Sequence, residues 1–117
     1  MSKITIDFSN IETRGDIQDI LSSGFEFPEY YGRNLDAFND CFAEFVISAS
    51  KDEEVTEVEL VGFDSLPEKF EKYGQHIIEI MEKNIREYDC DKISIIREWT
   101  SIKLKYKKSA DWIQYQV

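Results

Sequence analysis

Residues 27–46, Phe-Pro-Glu-Tyr-Tyr-Gly-Arg-Asn-Leu-Asp-Ala-Phe-Asn-Asp-Cys-Phe-Ala-Glu-Phe-Val, hold the pattern from which the rest of the chain can be read. An aromatic turn, Tyr30-Tyr31-Gly32, leads into a helix for which Asn34 is suited as the capping residue. At about 100° per residue from Asp36 at 0°, Asp40 falls at about 40° and Glu44 at about 80°, a stripe of carboxylates at i, i+4, i+8. Phe38, Phe42, Phe45 and Ala49 gather at about 180–240°, with Leu35 and Cys41 at the edges, an apolar arc wide enough to face a core. Like charges at i, i+4 cost a helix roughly 0.2–0.5 kcal/mol per pair. Only Asp36 lies in the first turn, where the helix dipole favours an anion. A solvated polar face is the ordinary explanation of such a stripe. The other is a surface that holds anions at fixed spacing to meet a cationic partner.

The whole chain suits the second explanation. Its 117 residues make a single domain, large enough for one core, and 42% hydrophobic with 14% aromatic residues argues for a folded globule. A formal net charge of −10 repels nucleic acid and anionic membranes and speeds encounter with basic proteins. The one basic segment, Lys103–Lys108, reads as a strand face. There is no apolar run of membrane-spanning length and no signal-peptide core at the N-terminus, so a cytoplasmic location is expected. Cys41 and Cys90 then read as reduced thiols, Cys41 with a structural role beside the apolar arc.

Around the acidic helix the pattern alternates strands and helices. Lys3–Phe8 has strand alternation. Thr13 and Asp16 form a capping-box pattern for a helix whose apolar side includes Ile17, Ile20 and Leu21, and Gly24 is expected to end it. The acidic helix is expected from about Asn34 to Ala49, followed by the charged connection Lys51–Glu54. Val55–Phe63 is a second strand. Ser65-Leu66-Pro67-Glu68 starts a helix lined by Phe70 and Tyr73. Gly74 is expected to divide it from a further helix with Ile77, Ile80, Met81, Ile85 and Tyr88 on one side. Lys92–Ile96 is a third strand, Glu98–Ser101 a connection, and Ile102–Tyr106 a fourth strand. This predicts an α/β layer fold, a three-stranded parallel sheet packed by helices with an extra antiparallel C-terminal strand. The aromatic tail 99–117 reads as an added edge strand and packed terminus, or as a second contact surface or dimer interface.

Catalytic and metal motifs are missing. His76 is the only histidine and reads as a surface or capping residue. No Cys-His pair, phosphate loop, nucleophile turn or metal-spaced set is present. Asp36 and Asp40 stand about 6 Å apart along a helix turn, within range of a glycosidase pair, yet nothing in the sequence separates their pKa values. They also lack the loop and glycine pattern of a calcium site. No enzyme activity, cofactor or metal is expected; these carboxylates read as binding groups.

Tyr-Tyr-Gly-x-Asn-Leu-Asp-Ala at 30–37, followed by Asp40-Cys41, closely resembles the signature of the barstar family, intracellular bacterial inhibitors of small secreted ribonucleases. Cys90 resembles the second cysteine of that family. The likeness is strong over 27–46 and loose elsewhere, covering about residues 3–97 and leaving 98–117 as an extension past the usual family end. It implies an immunity protein whose acidic helix and preceding loop plug a basic ribonuclease or nuclease toxin, the carboxylates standing in for RNA phosphates; a monomer is expected, though the sequence leaves the oligomeric state open. Residue by residue, it implies Asp40 as the central carboxylate, Asp36 as the other main helix carboxylate and Tyr30 as an aromatic contact. Gly32, Asn34 and Leu35 match positions that shape the loop. A later-helix acidic contact corresponds to Glu82, with Glu79 and Glu87 as alternatives. Where the best-known member has Trp before the central carboxylate this chain has Asn39, and where a glycine lets the partner approach it has Glu44. Both substitutions lie on the implied contact surface and point to a different nuclease. A non-inhibitory interaction module reusing the fold is the alternative.

Overall fold

The computed structural model describes residues 2–99, 102–108 and 111–115. Its five strands are β1 (Ser2–Asp7), β2 (Thr56–Val61), β3 (Ile93–Trp99), β4 (Ile102–Lys107) and β5 (Asp111–Tyr115), joined in one sheet of order β1-β2-β3-β4-β5. The helices are α1 (Arg14–Phe25), α2 (Leu35–Ser50) and α3 (Glu68–Glu87). β1, β2 and β3 are parallel, with Ile6 opposite Leu60 and Val58 opposite Ile95, while β4 and β5 add antiparallel to β3. The three-stranded parallel core is as the sequence predicts. The C-terminal extension is two strands rather than one.

Period-two alternation sorts each strand. Ile6, Val58, Leu60, Ile93, Ile95 and Tyr106 point into the core with Ile17 and Leu21 of α1, Phe38, Phe42 and Val46 of α2, and Ile77, Met81 and Ile85 of α3. The opposite face of the sheet carries cross-strand ion pairs, Lys3 to Glu59 and Lys105 to Glu57, both at 3.3 Å. A bidentate pair between Arg97 and Asp64 closes the carboxyl end of β3.

Several local expectations need correction, the two glycines for a tertiary reason. Gly24 does not end α1, which runs on to Phe25 and stops at Glu26 in the left-handed region (φ 55°). Gly24 is small because a Cβ there would overlap Cδ1 of Ile6, so the glycine marks close helix–strand approach. Gly74 does not divide two helices; α3 is continuous over Glu68–Glu87, and Gly74 sits buried where a Cβ would lie 3.1 Å from Leu66 and 3.3 Å from Phe63. Glu98 and Trp99 belong to β3, not to a connection. The second strand is also shorter than expected, since Phe63 starts a 3-10 turn, Phe63–Ser65. Tyr88 follows α3 and is exposed. Thr100 and Ser101 of the expected connection, the terminal Gln116 and Val117, and the side chains of Trp99 and Tyr115 lie outside the described residues.

The extension is tied into the domain. Tyr106 is fully buried and accepts a hydrogen bond at 3.0 Å from Nη1 of Arg86. Its ring lies 5.3 Å from that of Trp112, whose indole N–H donates to Glu82 at 2.6 Å. The Arg97 guanidinium lies 5.2 Å from the rings of both Trp112 and Phe63. No helix among the described residues is long and apolar enough to cross a membrane.

Candidate functional site

Asn34 begins the acidic helix as the sequence suggests. Its Oδ1 accepts from the Ala37 backbone N–H at 2.7 Å, and its Nδ2 donates to the Gly32 carbonyl at 3.3 Å. One side chain thus satisfies a helix N–H and closes the turn before it. Phe38, Phe42 and Val46 are the fully buried side of α2. Phe38 and Phe42 meet Phe25, Phe27 and Phe45 in a ring cluster with centroid spacings of 5.0–6.4 Å.

Directly opposite that cluster, Asp36, Asp40 and Glu44 are all exposed. Among the described residues none of the three has an ion-pair or hydrogen-bond partner. They form an open row on a rod fixed from beneath.

The two tyrosines divide the work of the turn. Tyr31 is buried, lies with its ring 4.8 Å from that of Phe27 at a tilt of 46°, and donates its O–H to Oε1 of the buried Gln18, whose amide in turn donates to Tyr73 at 2.6 Å. Burial pushes the Tyr31 phenol well above its usual range, with a smaller contribution from Tyr73, so it stays a neutral donor. Tyr30, by contrast, is 80% exposed, in the loop that leads into α2. Arg33, held at φ 54°, secures the turn by donating to the Gly15 carbonyl at 3.1 Å and pairing with Asp19 at 2.8 Å. Tyr31→Phe is expected to cost about 1–3 kcal/mol in urea unfolding, because it strips the buried Gln18 carbonyl of its donor. A change within about 0.3 kcal/mol of zero would show that water replaces the hydroxyl.

The remaining implied site residues are placed differently. Asn39 faces α3, where its Oδ1 accepts at 3.0 Å from Nδ2 of Asn84, a buried residue that also donates to the Ile80 carbonyl at 2.9 Å. It stands at the margin of the acidic face as a helix–helix tie. Glu82 is engaged by Trp112 and lies about 200° around α3 from Asn84, away from the side that meets α2. Glu79 and Glu87 are exposed, and Glu79 lies 3.7 Å from His76. Sequence reasoning missed Val46 and Asn84 as parts of the support. For Asn84, an amide among apolar positions of a helix was the available signal.

Cys41 reports on the field of this face. Partial burial raises its thiol pKa, and the carboxylates of Glu44 and Asp40 raise it further by disfavouring a nearby thiolate. Alkylation requires the thiolate. Iodoacetamide labelling at pH 8 is therefore expected to be slower than for an unhindered peptide thiol, and several-fold faster in an Asp40→Asn, Glu44→Gln variant. An unchanged rate would mean that access, not charge, limits the reaction. Cys41 and Cys90 are both free thiols, and among the described residues no His, Cys, Asp and Glu group is arranged to hold a metal.

Fold and site together define a small α/β protein that displays an exposed carboxylate row on a helix whose other side is core, with an exposed tyrosine in the loop before that helix. Residues 1–98 match the family model Barstar (barnase inhibitor), and the chain belongs to the barstar family. Over 49 residues it is 49% identical to a Bacillus subtilis (strain 168) protein named "Putative ribonuclease inhibitor YrdF"; the match covers 39% of this chain and 50% of that protein.

Proposed function

We propose that this protein inhibits a basic ribonuclease by lodging α2 and the loop before it in the enzyme's RNA-binding cleft, as an immunity protein or antitoxin for its producer. Asp40 takes the central phosphate position, Asp36 and Glu44 extend the anionic row, and Tyr30 packs against the mouth of the cleft. Asn34 holds the loop in shape and Asn39 contributes from the margin with whatever hydrogen-bonding capacity Asn84 leaves it, while Glu82 is tied to Trp112 on the side of α3 away from α2 and stands outside this footprint. The observation that carries this reading is the exposed row of three carboxylates without partners among the described residues, on a helix whose other side is core. Family membership and the relative's name support it.

The mechanism is substitution of one anion for another. Arginines and lysines that hold RNA phosphates pair with carboxylates whose spacing is set before encounter, so little ordering entropy is lost on binding. The net charge of −10 speeds approach to a cationic surface. No step needs a cofactor, and the chain itself turns nothing over.

The test pairs the purified protein with ribonuclease domains encoded beside its gene, scoring loss of RNA cleavage and rescue of growth on co-expression. Inhibition at equimolar protein is expected for one of them. Capture of non-nuclease proteins alone, with every ribonuclease unaffected, would favour an interaction module instead, a reading to which Asn39 and Glu44 lend some weight.

A further inference from the structure

Beside the acidic row, where the N-terminal ends of α1 and α2 meet Tyr73 of α3, lies an open groove of about 540 Å³. Arg14 and Arg33 edge it, Leu35 and the Tyr73 ring line it, and Asp36 belongs to both the groove and the row. We propose that this groove receives a carboxylate side chain from the rim of the same ribonuclease, so that the footprint is anionic along α2 and cationic at its end; this rests on the inhibitor reading above.

Arg14 is the leading residue. It is exposed, its guanidinium carbon lies 4.8 Å from the centre of the Tyr73 ring, and among the described residues it pairs with no carboxylate. As the first residue of α1 it puts a cation where the helix dipole disfavours one, so it adds nothing to helix stability through charge. Arg33 commits Nη2 to Gly15 and Asp19, while its Nε and Nη1 donors have no protein acceptor among the described residues.

A partner that touches Asp36 also covers the groove that shares it. A basic patch over Arg14 would be repelled, and an apolar patch would strand a desolvated charge, which is costly. A carboxylate answers both problems. Its two oxygens match the edge of a guanidinium, and the methylenes of a glutamate or aspartate can lie on Leu35 and the Tyr73 ring. The mixed footprint then fixes the rotation of the complex and rejects ribonucleases whose rims are basic throughout.

The experiment measures dissociation constants of wild type, Arg14→Glu, Asp40→Ala and Lys51→Ala for the ribonuclease that wild type inhibits, with thermal midpoints as the control for folding. Arg14→Glu is expected to weaken binding at least about tenfold without lowering the midpoint. A scan replacing acidic rim residues of the ribonuclease with lysine is expected to yield one variant that restores Arg14→Glu binding. If Arg14→Glu stays within about twofold of wild type while Asp40→Ala loses binding, the groove proposal fails and the inhibitor reading stands. Equal losses for Asp40→Ala and Lys51→Ala, or no ribonuclease inhibited by wild type, would overturn both.

Discussion

Asp40→Ala is expected to weaken binding to the cognate ribonuclease by roughly 2–5 kcal/mol, a general range for truncating one partner of a desolvated charge pair that already includes complexes of the barstar family. That corresponds to about thirty- to several-thousand-fold in dissociation constant. Two features of the free protein set the expectation. Asp40 is exposed and has no internal partner among the described residues, so its removal breaks nothing in the fold. It is also the middle carboxylate of the row, where a partner excludes water most completely and an unanswered cation left behind is most costly. Lys51→Ala, at the far end of the same helix, serves as the comparison and should change affinity little. Thermal midpoints of both variants should stay near wild type. A large drop in midpoint for Asp40→Ala would mean that the carboxylate stabilises the fold after all, and comparable affinities for the two variants would remove α2 from the centre of the interface.

Phe42→Ala should do the reverse. Phe42 is fully buried beneath the acidic row, with ring centroids 5.4 Å from Phe25, 5.5 Å from Phe38 and 5.6 Å from Phe45. Replacing such a ring with a methyl group typically costs about 3–5 kcal/mol, since the transfer free energy is lost and the cavity collapses only in part. This is a large share of the roughly 5–15 kcal/mol available to a domain. Urea unfolding should show a lower midpoint with little change in slope. Affinity, corrected for the folded fraction, should fall far less than for Asp40→Ala. A loss below about 1 kcal/mol would show that the aromatic cluster under α2 repacks easily and is not what makes the row stiff.

The contrast between these variants mirrors what could be read in advance. Both faces of α2 follow from its own spacing, because a helix repeats every 3.6 residues whatever surrounds it. Asn34 and the Thr13–Asp16 capping box were legible for the same reason: each partner lies three residues away along the chain. Gly24 and Gly74 misled because a helix-breaking residue was read locally, whereas each is small to admit a side chain from another element. Asn39 and Glu82 have partners in Asn84 and Trp112, 45 and 30 residues distant, and no local pattern announces such pairings. The division of labour between Tyr30 and Tyr31 was likewise hidden, since the buried acceptor, Gln18, belongs to the preceding helix. The fold was therefore more legible than the fate of individual polar side chains.

Tyr106 has an implication for where this molecule ends as a physical unit. The family pattern closes at residue 98, yet the largest fully buried side chain among the described residues comes eight positions later and packs into the interior laid down by the earlier strands. A version trimmed to the shared portion would open a tyrosine-sized void and bare the hydrogen-bonding edge of β3, inviting strands of neighbouring molecules to pair there. Ancestry and integrity thus draw different borders on this chain, and the last strands belong to the second.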